Sequence, residues 1–287
     1  YGAVAPGEIE LVCARLRERE GEPAAWGEEW CNVAAMVEKL ADEAAAEGRQ
    51  ATAGNRYLRA GNYYYTGERF VPLGEHKLDI YRKALRCSQE GLRRRHPNIE
   101  FVEVPYEGQT LPAYFMKAPR TGKGAPTVVL FDGMDNCKEM SVIFAGIELG
   151  FRGIHTLAID GPGQGEALRL RNLPARYDYE VAGTAAYNYV AGRAEVDAKR
   201  VAIMAYSAGG YYAPRAAAFE PRYAACVAGG PHYDYHAVWQ QRWTAMKKDY
   251  NSVASSHFQL PWVLGTKDME SAMEKVKKFT LAGVADK

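Results

Sequence analysis

The sequence is poor in the features that place a chain in an extracellular, membrane or nucleic-acid setting. It has five cysteines (Cys13, Cys31, Cys87, Cys137, Cys226), odd in number, scattered and without metal-type pairs. That pattern excludes a disulfide framework and a zinc cluster, and reads as reduced thiols in a cytoplasmic protein. Net charge is only +1, so no general attraction to nucleic acid or to an anionic membrane follows. The single basic cluster, Arg93-Arg94-Arg95-His96, closes an amphipathic helix, where the helix dipole favours cations. No apolar run reaches membrane-spanning length: the longest, residues 142–159, is interrupted by Glu148, Arg152 and His155. A signal-peptide pattern is missing, and the chain opens on Tyr1 rather than Met, which reads as a trimmed start. Glycines follow one strand at Asp160-Gly161-Pro162-Gly163-Gln164-Gly165-Glu166, yet without G-x-G-x-x-G or a Gly-Lys-Ser/Thr ending. A nucleotide phosphate is therefore not expected there, but a tight turn across the top of a sheet is. No metal or organic cofactor is called for.

What is present suits a globular protein. The 287 residues, 47% apolar and 25% charged, suffice for one large α/β domain and an accessory domain. Up to about His96 the period is helical: residues 8–20, 30–47 (ended by Gly48), 52–64 and 78–94 carry apolar side chains at three- and four-residue spacing. The run Tyr63-Tyr64-Tyr65 reads first as helix-packing surface and second as the wall of a cavity. Pro97 marks a change of period. Residues 99–104 and 111–116 alternate around the turn Tyr106-Glu107-Gly108-Gln109, a β-hairpin. Buried-type strands follow at 127–131, 154–159, 201–205 and 224–228, with helices at 141–150, 178–195 and 211–220 between them. The alternation predicts a parallel sheet with right-handed crossovers.

The run Val201-Ala202-Ile203-Met204-Ala205-Tyr206-Ser207-Ala208-Gly209-Gly210 leads from a strand through a serine among small residues into a helix. This is the layout of a nucleophile elbow, spelled A-x-S-x-G because Ala205 stands at the usual first glycine. An extra methyl there tightens strand–helix packing. The loop Asp132-Gly133-Met134-Asp135-Asn136-Cys137-Lys138-Glu139 follows the strand that supplies the second oxyanion amide in such hydrolases. It points to the amides of Ala208 and Met134 as the oxyanion hole.

Together, Asp132-Gly133-Met134-Asp135 with Lys138-Glu139, the Asp160–Glu166 loop, and Ser207-Ala208-Gly209-Gly210-Tyr211-Tyr212-Ala213 resemble one group of α/β-hydrolases. It is the group of 2,6-dihydroxypseudooxynicotine hydrolase and the fungal polyketide-shortening pigment hydrolases, and the resemblance runs over nearly the whole chain. It implies an α/β-hydrolase fold, a mostly parallel sheet flanked by helices, with an all-helical N-terminal region (1–96), a core (97–232) and an inserted helical cap (233–287). It implies a serine hydrolase cleaving a carbon–carbon bond beside a ketone in an aromatic or polyketide-like small molecule, with Ser207 as nucleophile and an acidic residue at Asp135 assisting it. A carboxylesterase or thioesterase is the alternative, and a non-catalytic partner-binding protein a further one. A homodimer is the expected assembly. The chain order Ser, acid, His places the triad Asp and His on loops after later strands, so both are expected beyond Lys287.

Residues within the sequence offer weaker substitutes. Asp234 follows the 224–228 strand, where some hydrolases carry the acid; His232 and His236 lie too near that strand to be the usual base. His155 reads as a hydrogen-bonded structural histidine and His257 as a cap-surface residue. Asp135 has a structural alternative, capping the next helix or pairing with Lys138, and Cys137 reads as a partly buried free thiol. Trp239, Trp243 and Met246 share a helical stripe suited to packing or to a substrate-facing wall.

Overall fold

Four helices follow one another where the helical period predicts them: α1 (Pro6–Glu18), α2 (Ala25–Ala46), α3 (Gln50–Glu68) and α4 (Glu75–Arg95). The computed structural model describes residues 2–119, 121–248 and 256–286. The chain divides into two compact units, Tyr1–Ile99 and Glu100–Lys287. In the first, α3 and α4 cross in near backbone contact. A Cβ on Gly61 would stand 2.8 Å from the Ser88 amide, and one on Gly91 2.8 Å from the Leu58 amide. The tyrosines of α3 pack inward and spend their hydroxyls on acids: Tyr63 donates to Glu8 (2.7 Å) and Tyr64 to Glu38 (2.7 Å). The Lys77–Glu68 pair (3.1 Å) is fully buried between them, its ammonium also reaching the Glu68 carbonyl at 2.7 Å. Such a pair holds its charges only with every proton placed.

The second unit is a six-stranded sheet. Its strands are β1 (Ile99–Tyr106), β2 (Gln109–Met116), β3 (Ala125–Phe131), β4 (His155–Ile159), β5 (Val196–Tyr206) and β6 (Ala225–Gly229). Their spatial order is β1-β2-β4-β3-β5-β6. Glu107 (φ 42°) and Gly108 (φ 78°) form the hairpin turn; two successive positive φ values match the strand twist of a two-residue connection. β2 runs antiparallel to β4, whereas β3 is parallel to both β4 and β5, and β5 to β6. The sheet is therefore mixed and mostly parallel, as expected. Because β3, β4 and β5 are parallel, their C-terminal ends share one edge, where Asp132, Asp160 and Ser207 begin the three loops.

Helices cross between the strands. α5 (Lys138–Ser141) continues through one wider π turn (Val142–Gly146) into α6 (Ile147–Phe151); α7 (Gly165–Arg169) follows β4, α8 (Glu180–Ala191) precedes β5, and α9 (Gly209–Phe219) leaves the elbow. Three more, α10 (Tyr235–Lys248), α11 (Ser256–Leu264) and α12 (Met269–Val276), follow β6. A single core joins the sheet to these last helices: Val129, Phe131, Ile203 and Ala205 share it with Trp239, Leu260, Val276 and Phe279. Burying each large apolar side chain contributes roughly 1.5–3 kcal/mol. Tyr179 stacks on Tyr212 at 3.8 Å and meets Phe131 edge-on at 5.1 Å.

One expected strand differs. β6 was expected to be a short buried strand because it is apolar, yet Ala225, Cys226 and Val227 are exposed, Val227 by 48%. Among the described residues it lies at the end of the strand order and pairs with β5 alone, with α9 packed along it. An apolar run reports a strand but not its place in the sheet. No helix among the described residues is long and apolar enough to cross a membrane.

Candidate active site

Ser207 sits at the turn from β5 into α9 with φ +56°, a left-handed conformation that a non-glycine residue adopts only when its surroundings impose it. The surroundings are explicit: its amide donates to Gly229 O (2.8 Å) and its carbonyl accepts from the Gly210 amide (2.7 Å). Its side chain is exposed, while Ala208 beside it is buried. Small residues are a steric requirement here. A Cβ on Gly133 would stand 3.0 Å from Ser207 Cβ, and one on Gly209 would stand 2.6 Å from Ala205 Cβ and 2.7 Å from Asp132 O. The Ala205 methyl is thus accommodated by the missing side chain at position 209.

The amides of Ala208 and Met134 have no hydrogen-bond acceptor among the described residues. Both flank Ser207, Ala208 in sequence and Met134 through its neighbour Gly133. The Met134 side chain is held from α10, the Tyr235 hydroxyl donating to its sulfur at 3.4 Å. Burial raises the Tyr235 phenol to about 12, so it stays protonated and able to donate.

The first loop is fixed by its own acid. Asp132 accepts from the Gly133 amide (2.7 Å), the Asn136 side chain (2.6 Å) and the Ser141 hydroxyl (3.1 Å). Burial nevertheless pushes its carboxyl above the usual range, against those three bonds. The Asp160–Glu166 loop locks onto it: Gln164 donates to Asp132 O and to Gly133 O (3.2 Å) and accepts from the Gly161 amide and the Tyr179 hydroxyl, each at 3.0 Å. Asp160 is wholly buried and serves both neighbouring helix starts, accepting from the Lys138 amide (2.6 Å) and the Glu166 amide (2.8 Å). Its charge is met by Lys138 at 3.0 Å, which also contacts Glu166 (3.0 Å) and Glu139 (3.2 Å). Burial still raises Asp160, with Lys138 pulling it back down. The glycine-rich loop is therefore a clamp on the Asp132 loop, the tight turn that its sequence indicates.

Asp135 is buried, 1% exposed, and also left-handed at φ +53°. Its Oδ2 accepts from Gln259 Nε2 at 2.8 Å and lies 3.7 Å from Arg169, which also donates to the Asp135 carbonyl at 2.8 Å. The carboxylate thus points into the unit; the start of α5 is served by Asp160. Arg169, Gln259, Gln164 and Tyr235 were missed as site residues. Gln164 stood inside a motif, but the other three are single polar or aromatic positions in helical stretches and carry no local signal.

The remaining candidates fall elsewhere. Asp234 is exposed and caps the start of α10, accepting from the Ala237 amide at 3.1 Å. His232 packs on Tyr235 with ring centres 5.3 Å apart, and burial beside Arg242 holds its imidazole below the ordinary range. His236 begins α10 on a half-buried position. Nδ1 of His155 accepts from the Ala118 amide at 2.8 Å within the sheet, a structural role. The side chain of His257 lies outside the described residues. Cys137 is fully buried and its thiol is pushed well up by desolvation. Trp239 is fully buried in the core, Met246 nearly so and Trp243 partly. Among the described residues no cluster of three or more His, Cys, Asp or Glu is arranged to hold a metal ion.

Comparison with known proteins bears on the family and the fold. The chain is 29% identical to hydrolase ORFZ of Pyricularia oryzae, over 99% of this chain and 75% of that protein. It is 30% identical to hydrolase LUC6 of a Fusarium species, over 98% and 74%. The solved structure of 2,6-dihydroxy-pseudo-oxynicotine hydrolase superposes with a TM-score of 0.82 at 21% identity, over 99% of this chain and 75% of that one. Residues 11–279 match the family described as Esterase FrsA-like. With an α/β-hydrolase sheet, a helical N-terminal region and hydrolases as its relatives, the chain belongs to the FrsA-like esterase family and is a hydrolase of the α/β-hydrolase fold.

Proposed function

We propose that Ser207 is the nucleophile of a hydrolase that cleaves a carbon–carbon bond next to a ketone through an acyl-enzyme. The supporting observation is Ser207 itself, exposed at φ +56° on the strand–helix turn and flanked by the amides of Ala208 and Met134, for which the described residues provide no acceptor. In this reading Ser207 Oγ attacks the ketone carbon and gives its proton to a histidine on a loop after a later strand. The two amides receive the developing oxyanion; loss of one such donor costs about 10²–10³ in rate. Collapse of the tetrahedral intermediate breaks the carbon–carbon bond. The electron pair passes to the leaving carbon, spreads into an adjacent carbonyl or phenol-type ring, and takes up a proton. Water then releases the acyl group as a carboxylic acid. Asp135, close behind Met134, steers the base or orients a polar group of the substrate.

The carbon–carbon reading rests on likeness to the pseudo-oxynicotine hydrolase; the family description favours a second reading, ester hydrolysis. Turnover of an aryl ketone or β-diketone beside a p-nitrophenyl ester separates the two. The proposal expects ketone cleavage that disappears in Ser207→Ala. Rapid ester cleavage without ketone turnover selects the second reading, and no Ser207-dependent turnover of either overturns both.

A further inference from the structure

Helix α11 grips the Asp135 region through two side chains one turn apart. Gln259, 7% exposed, donates to Asp135 Oδ2 at 2.8 Å, and Trp262 places its ring 5.1 Å from the guanidinium of Arg169. Positions i and i+3 lie on one helix face, so one face of α11 engages both members of the Asp135–Arg169 pair. Arg169 in turn holds the Asp135 carbonyl at 2.8 Å, while the Asp135 amide donates to Gly163 O at 3.1 Å. The left-handed backbone at Asp135 (φ +53°) is therefore held at its amide and at its carbonyl, and its carboxylate by Gln259 and Arg169. The neighbouring turn is held likewise from α10, through Tyr235 on Met134.

We propose that Gln259 is a positioning residue: through it α11 sets the orientation of the Asp135 carboxylate, so that acid is aligned only when α11 is seated. The inference rests on the reading that Asp135 assists Ser207. An amide suits the place because it donates a hydrogen bond without adding charge. Among the described residues, Arg169 of α7 and Gln259 of α11 contact the Asp135 carboxylate, and Asp132 of the same loop, Tyr212 of α9 and Tyr235 of α10 are near enough to interact with it electrostatically. A carboxylate in place of the amide would share the site with Asp135, and two carboxylates in contact cannot both ionise freely.

The test compares Gln259→Leu, Gln259→Glu and Asp135→Asn with the wild type. Each is read by the rate of covalent labelling with a fluorophosphonate probe from pH 5 to 9, with the thermal melt as a check on folding. Gln259→Leu is expected to label at least about tenfold more slowly, the worth of one hydrogen bond to a charged group. Gln259→Glu is expected to move the acid limb of the profile up by about one pH unit or more and to recover its rate above that limb. A merely structural role does not move the profile. If both Gln259 variants melt as the wild type does and keep its rate and profile while Asp135→Asn loses rate, the inference is overturned and the role of Asp135 stands. If Asp135→Asn labels at the wild-type rate, the role of Asp135 fails and the inference fails with it.

Discussion

Gly209→Ala is the substitution for which the elbow geometry makes the sharpest demand. Gly209 begins α9, and its φ is not in the left-handed region, so alanine costs nothing in backbone conformation. Helix propensity alone would favour alanine by up to about 1 kcal/mol. Packing opposes it: the new methyl would stand 2.6 Å from Ala205 Cβ and 2.7 Å from Asp132 O. Real Cβ contacts do not approach so closely, and the Asp132 carbonyl is backbone already bound by Gln164. Overpacking of this kind costs about 1–3 kcal/mol, occasionally more. The net expectation is a loss of about 1–2 kcal/mol, and at about 2–4 °C per kcal/mol for a unit of this size the melt falls by roughly 2–8 °C. Moving α9 away from β5 also displaces Ser207 and Ala208, so fluorophosphonate labelling should slow by about tenfold to a hundredfold. In the double variant Ala205→Gly with Gly209→Ala, the methyl–methyl contact disappears while the Asp132 contact remains, so labelling recovers only in part. A Gly209→Ala protein that melts at or above the wild-type temperature and labels at the wild-type rate would refute the claim that close strand–helix approach builds this site.

Three further outcomes follow from the same structure. Lys138→Met leaves Asp160, Glu166 and Glu139 without their shared ammonium, and should destabilise by about 3–5 kcal/mol in urea titrations at pH 7, with partial recovery toward pH 5 as Asp160, which burial raises to about 6, takes up a proton. His155 is held neutral by burial, below its ordinary value of 6.5, so its contribution to stability is complete above about pH 6.5 and is lost as pH falls through the depressed value; His155→Gln should flatten the fall of the unfolding midpoint between pH 7 and 5, by at most about 1.4 kcal/mol per pH unit. Gly133→Ala puts a methyl 3.0 Å from Ser207 Cβ and 3.4 Å from its Oγ, and should reduce kcat/KM on a p-nitrophenyl ester by about tenfold or more while the melt changes little.

Much of this site was legible because its chemistry is written in local patterns. A serine among small residues between strand and helix, and two loops after strands, are contiguous stretches, and parallel pairing of β3, β4 and β5 brings them to one edge. The tyrosines of α3 were read correctly as packing surface, although nothing in the sequence paired Tyr63 with Glu8 or Tyr64 with Glu38. Long-range partners were the part that could not be read. Gln259 reaches Asp135 across 124 residues of chain, and Arg169 is an ordinary basic residue of a short helix until the fold turns it onto the Asp135 carbonyl.

The account stands on Ser207 as an activated nucleophile, and the most direct measurement is mass spectrometry of the fluorophosphonate-treated protein. The prediction is one phosphonyl adduct, on the peptide carrying Ser207, formed in the folded protein and missing in Ser207→Ala. Folded protein that stays unmodified, or an adduct on another residue that survives Ser207→Ala, would contradict it.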